Sequence, residues 1–167
     1  MKAAAPNLPD AKFLKTVFMH NLNRMYTGKC FLRDNLESLL NMASFKTLQL
    51  AMKEFSDGVT NQIERMEKIY ELLKETPTNE PGNPIKSLIK DEFCLDEQQT
   101  IPLLNDLDLV LYVQLLEHVN ITAYRMMIMV AKLLKYTEVK QELTENFDES
   151  VDNDKLFTLI AEEYLAV

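Results

Sequence analysis

The chain has 167 residues, 47% apolar and 26% charged, which is enough for one domain with a sizeable core and too apolar for a disordered one. Its formal charge is −8 and it contains no run of basic residues. That excludes phosphate backbones and anionic membrane surfaces as natural partners. Only three glycines are present, whereas Met, Leu, Lys and Glu abound, so helices are favoured over folds that need many tight turns.

Four long segments repeat apolar residues at helical spacing. The first is expected from Asp10, a plausible cap, to about Met42, with the seam Leu14, Phe18, Leu22, Met25, Lys29, Leu32, Leu36, Leu39. Ser44 is positioned to cap the second, which should end near Lys74 and carries Leu48, Met52, Phe55, Val59, Gln62, Met66, Ile69 and Leu73. A long connection from Glu75 to about Asn105 opens with Thr76-Pro77 and Pro81-Gly82-Asn83-Pro84, all turn chemistry. Asn83 before Pro84 reads as the start of a short helix through Ile85, Leu88 and Ile89, and Pro102 is expected to close the connection.

The third long helix should cover Leu104 to Leu134, with the seam Leu109, Val113, Leu116, Asn120, Ala123, Met127, Val130, Leu134. The fourth is expected from Thr137 to about Leu165, presenting Val139, Leu143, Asn146, Glu149, Asn153, Leu156 and Ile160 on one face. Short, long and short connections define an all-α four-helix bundle with one long crossover between its second and third long helices. Residues 1–10 form a tail and residues 11–167 a single domain on this reading. The opening Met1-Lys2-Ala3-Ala4-Ala5-Pro6 lacks the apolar run of a secretory leader, and no apolar stretch is long enough to span a bilayer. Cys30 and Cys94 show no zinc-type spacing, so the expected home is the reducing cytoplasm.

Each seam is interrupted by polar residues near its middle. Lys29, Gln62, Asn120 and the pair Glu149/Asn153 should fall in one layer of the core. Two readings stand: the side chains snorkel outward and set register, or they mark an altered metal site at the bundle centre. Gly28 and Gly58 should lie at similar heights, either for close backbone contact or because a side chain has been lost.

The stretches Asn21-Leu22-Asn23-Arg24-Met25-Tyr26, Gln62-Ile63-Glu64-Arg65-Met66-Glu67-Lys68-Ile69-Tyr70 and Glu117-His118-Val119-Asn120-Ile121-Thr122-Ala123-Tyr124 resemble the bacterial YciE/YciF-type ferritin-like family, as does the tail from Asp154 to Ala161. The likeness runs from about Phe13 to Ala161. It implies a ferritin-like bundle that binds metal through inward Glu and His or Gln residues, and a link to stress responses. By position, the implied first-helix carboxylate falls on Lys29, the second-helix pair on Gly58 and Gln62, the third-helix carboxylate on Asn120, and the fourth-helix pair on Glu149 and Asn153. A one-residue shift in the fourth helix would substitute Asp148 and Asp152. Only Gln62 and Glu149 keep the expected residue type.

A di-iron pair needs several anionic ligands, and Lys29 puts a positive charge where a cation should lie. The expectation is therefore a non-catalytic bundle without metal or other cofactor, in which Lys29 pairs with Glu149 or Glu117. The competing expectation is an iron- or manganese-dependent oxidase or peroxide-consuming enzyme using Glu117, His118, Glu149 and Asp152. His20 and His118 each lack a second histidine at ligand spacing. The run Arg125-Met126-Met127-Ile128-Met129-Val130 is apolar almost all round, which suits a homodimer interface or core filling.

Overall fold

The computed structural model describes residues 10–90 and 100–166. Among them five helices follow one another: α1 Ala11–Leu40, α2 Lys46–Leu73, α3 Pro84–Lys90, α4 Pro102–Leu133 and α5 Thr137–Leu165. Periodicity located each long helix to within a few residues. Asp10 caps α1, its carboxylate accepting the Phe13 N–H at 2.7 Å. Asn83 caps α3 in the same way, with Oδ1 accepting from the N–H groups of Ile85 and Lys86 at 3.1 and 3.2 Å.

Pro102 closes the connection as expected, and it does so from the first turn of α4, where its missing N–H costs nothing, so the helix starts two residues before Leu104. One boundary expectation fails for a local reason: Ser44 does not cap α2. Phe45 is the N-cap residue and makes no side-chain capping bond. The acceptor comes from α4: buried Asp106 takes the Ser44 N–H at 2.6 Å and the Phe45 N–H at 3.0 Å. Its neighbour Asn105 donates to the Met42 carbonyl at 2.6 Å, so one end of α4 clasps the whole α1–α2 turn.

α1 packs on α2 and α4, and α5 packs on the same two, so the four long helices form a square with antiparallel neighbours. The Phe55–Phe157 ring contact and the Lys68–Glu142 ion pair fix the α2–α5 register. The described first part of the crossover, through α3, packs against α1. Buried Asn23 anchors it, Oδ1 accepting from the Tyr70 hydroxyl at 2.8 Å and the Thr78 N–H at 3.2 Å. This is the ferritin-like connectivity expected from the spacing of the segments. Among the described residues no helix is long and apolar enough to cross a membrane. Cys30 is a half-buried free thiol, its pKa raised by burial, and Cys94 lies outside the described residues.

The two mid-helix glycines have different causes. A Cβ on Gly28 would lie 2.7 Å from Asn83 Oδ1 and 2.9 Å from Ile85 Cβ, so this glycine lets α3 and its cap press onto α1. A Cβ on Gly58 would meet only Asn153 Nδ2, at 3.9 Å, so nothing there requires a glycine. The alanine variants should therefore move in opposite directions. Gly58→Ala is expected to stabilise by about 1 kcal/mol from helix propensity, and Gly28→Ala to cost about 1–3 kcal/mol from overpacking. Urea denaturation of the two variants decides this; a destabilised Gly58→Ala would mean its gap has a structural role.

Candidate functional site: the polar layer at the bundle centre

The interruptions in the apolar seams converge. Lys29 on α1, Gln62 on α2, and Glu117 and Asn120 on α4 are all fully buried, as are Asn146 and Ser150 on α5. Above and below them the core is apolar, with Leu32, Phe55, Leu116 and Phe157 also fully buried. Burying this many polar groups is costly unless they satisfy one another.

Much of the layer does so. Both oxygens of Glu117 accept amide protons, from Asn120 Nδ2 at 2.8 Å and Asn153 Nδ2 at 2.9 Å. Tyr124 donates its hydroxyl to Gln62 Oε1 at 3.2 Å, and burial raises the phenol well above its ordinary pKa. On the α2–α5 side Arg65 bridges the helices, donating to Asn146 Oδ1 at 3.1 Å and to Glu149 Oε1 at 2.7 Å, with Glu145 beyond at 3.2 Å. Asn146 Nδ2 in turn donates to the Gln62 carbonyl at 3.3 Å.

Lys29 is the exception. Burial pushes its ammonium below the ordinary lysine value, while Glu117 and Glu149 act to hold it charged. Yet Nζ has no hydrogen-bond partner in the protein. The expected contact pair with Glu149 or Glu117 is therefore corrected: Lys29 lies in the field of both carboxylates without bonding to either. Both oxygens of Glu117 are engaged by asparagines and Oε1 of Glu149 by Arg65, while Glu149 Oε2 has no partner in the protein. In charge the layer balances, with Lys29 and Arg65 against Glu117 and Glu149.

The other proposed ligands lie elsewhere. His118 is on the outer side of α4 with its side chain 67% exposed, and Nε2 sits 3.3 Å from Asp154 Oδ1. Asp148 and Asp152 face solvent, and Asp152 pairs with Lys155 at 3.0 Å. Glu117, His118, Glu149 and Asp152 thus do not converge: two point into the core and two out of it. Among the described residues no three His, Cys, Asp or Glu side chains are gathered closely enough to hold an ion. Nor do the residues at the centre fit a di-iron pair. One carboxylate is capped by amides, the other is held by a guanidinium, and a buried ammonium lies in the field of both.

Sequence reading places Lys29, Gln62, Asn120 and Glu149 at the centre but assigns Arg65 and Tyr124 no part in the layer. Arg65 stands three residues after Gln62 and Tyr124 four after Asn120, so helical spacing puts each beside a seam residue. His20, away from the layer, bonds Glu80 Oε2 at 2.8 Å and helps pin the crossover to α1.

Helix order, long crossover and inward polar layer together define a ferritin-like four-helix bundle. The model of a domain of unknown function, DUF892, matches residues 14–166, and the chain belongs to that family. Its fold is also that of two solved structures. The Escherichia coli stress protein YciF superposes with a TM-score of 0.85 at 23% identity, over 91% of this chain and 96% of that one. YcfI of Rhodopseudomonas palustris gives 0.82 at 19% identity, over 93% and 98%. No curated protein sequence is significantly similar to the chain.

Proposed function

We propose that this protein is a non-catalytic ferritin-like bundle, a scaffold or interaction protein whose central layer is held by charge-balanced side chains in place of a di-metal centre. One observation carries the reading: the Lys29 side chain is fully buried at the centre, facing Glu117 and Glu149. A divalent ion there would have to displace or deprotonate the ammonium and strip Arg65 and the asparagines from the two carboxylates of the layer. Gly58 and Asn120 would remain poor substitutes for the missing anions. The likeness to a stress protein supports a role under stress, and the acidic, thiol-bearing chain suits the cytoplasm.

The working unit in this proposal is a homodimer. On α4, Met126, Met129 and Leu133 are 46%, 56% and 59% exposed and share one side of the helix. An apolar stripe of that kind suits a second copy of the chain better than water. Light scattering that returned a monomer would remove this part.

Lys29→Glu tests the central part. Three carboxylates would then face one guanidinium, so the variant is expected to melt well below wild type and to recover as manganese is added, by an amount that grows with concentration. Wild type should not respond. If manganese or ferrous iron stabilises wild type as strongly as the variant, the proposal is wrong and the metal-dependent oxidase or peroxide-consuming reading takes its place.

A further inference from the structure

We infer that the centre of the bundle is a binding site for enclosed water, one or two molecules that join the four long helices through Lys29, Gln62, Asn120 and Glu149. The inference rests on the metal-free reading above and names what occupies that layer. Each of the four helices contributes one buried polar atom with no partner in the protein: Lys29 Nζ from α1, Gln62 Nε2 from α2, Asn120 Oδ1 from α4 and Glu149 Oε2 from α5. Three of these residues cannot turn to satisfy the unpartnered atom without losing a bond already made at the other end of the same group. Gln62 Oε1 holds the Tyr124 hydroxyl, Asn120 Nδ2 is spent on Glu117, and Glu149 Oε1 holds Arg65. Lys29, fully buried, has no solvent to reach.

The chemistry of the four atoms selects the guest. Two can only donate, the ammonium and the amide nitrogen; two can only accept, the amide and carboxylate oxygens. A cation would satisfy the acceptors and be repelled by Lys29. An anion would satisfy the donors and meet Glu117 and Glu149. A neutral molecule that accepts from one pair and donates to the other satisfies all four, and water does so with the two to four polar contacts that buried waters make. Ser150 Oγ, also buried and unpartnered on α5, can serve as either donor or acceptor to a second molecule.

The test is a crystal structure of the full chain at a resolution that shows ordered solvent, with anomalous data recorded at the iron and manganese edges, for wild type and Lys29→Met. The expected result is one or two peaks without anomalous signal, each about 2.6–3.2 Å from at least two of the four atoms in wild type, and lost or weakened in Lys29→Met. Direct bonding among the four side chains, with no peak between them, would overturn the enclosed-water site and leave the metal-free reading standing. An anomalous peak at that position would overturn both. An unchanged peak in Lys29→Met would show that Lys29 is not one of the groups holding the water, contrary to the inference. Should that variant not crystallise, magnetisation transfer from water to the Asn120 and Gln62 side-chain amides of wild type, in solution, gives the same decision: transfer supports the site and its absence overturns it.

Discussion

Replacing Glu117 with alanine is expected to destabilise the bundle by about 3–5 kcal/mol, the scale for stranding a buried charge. For a domain of this size that corresponds to a fall in Tm of roughly 6–20 °C. The carboxylate is fully buried and both of its oxygens accept amide protons. It is also the larger of the two influences that keep Lys29 charged. The alanine variant would therefore lose two hydrogen bonds, open a cavity and leave the ammonium facing a carboxylate that Arg65 already occupies. A double-mutant cycle separates these causes. If the charge is what matters, Lys29→Met combined with Glu117→Gln should be more stable than the sum of the single effects predicts, by about 1–3 kcal/mol. Additive behaviour would reduce Glu117 to a packing residue and undercut the charge-balanced layer.

Asp106→Ala should cost about 2–4 kcal/mol for a different reason, the loss of a buried carboxylate that accepts from two part-buried backbone donors. The residue makes no ion pair among the described residues; its carboxylate receives the Ser44 and Phe45 N–H groups at the start of α2. Those two donors sit at the positive end of a 28-residue helix whose own N-cap side chain makes no capping bond. Alanine would leave both donors without an acceptor beside a carboxylate-sized gap, and the first turn of α2 should fray. Urea denaturation gives the magnitude, and amide hydrogen exchange gives the location: protection should fall at the start of α2 and persist around Gln62. The milder Asp106→Asn change should recover about half of the loss, because one acceptor oxygen remains. A loss below about 0.5 kcal/mol, the level of an ordinary surface change, would mean that solvent supplies the cap.

These two residues also mark how far a sequence can be read. The long helices are legible because their apolar residues recur at 3.6-type spacing, and Thr137 to Leu165 matches α5 end to end. The centre is legible where a polar residue interrupts that period: Lys29, Gln62 and Asn120 are all fully buried. The face of α5 is harder to read. Ser150 and Phe157 are buried while Glu149, Asn153 and Leu156 lie at its half-buried flank, because α5 packs against both α2 and α4 and buries a wider stripe than a single seam. What periodicity cannot give is any contact across long separations. Asp106 reaches a turn 61 residues away along the chain, and Arg65 reaches Glu149 across 84. Nor can it show that both oxygens of Glu117 and one of Glu149 are taken by other donors, and it predicts a contact ion pair with Lys29 where the structure has none.

Metal content reports on the central claim most directly. Protein purified without chelator, from cells supplied with iron and manganese, is measured by inductively coupled plasma mass spectrometry beside the Lys29→Glu variant. An ammonium at the heart of the bundle predicts far less than one ion per chain in wild type and a clear gain in the variant. One or two ions per wild-type chain, released when Glu117 becomes glutamine, would contradict it.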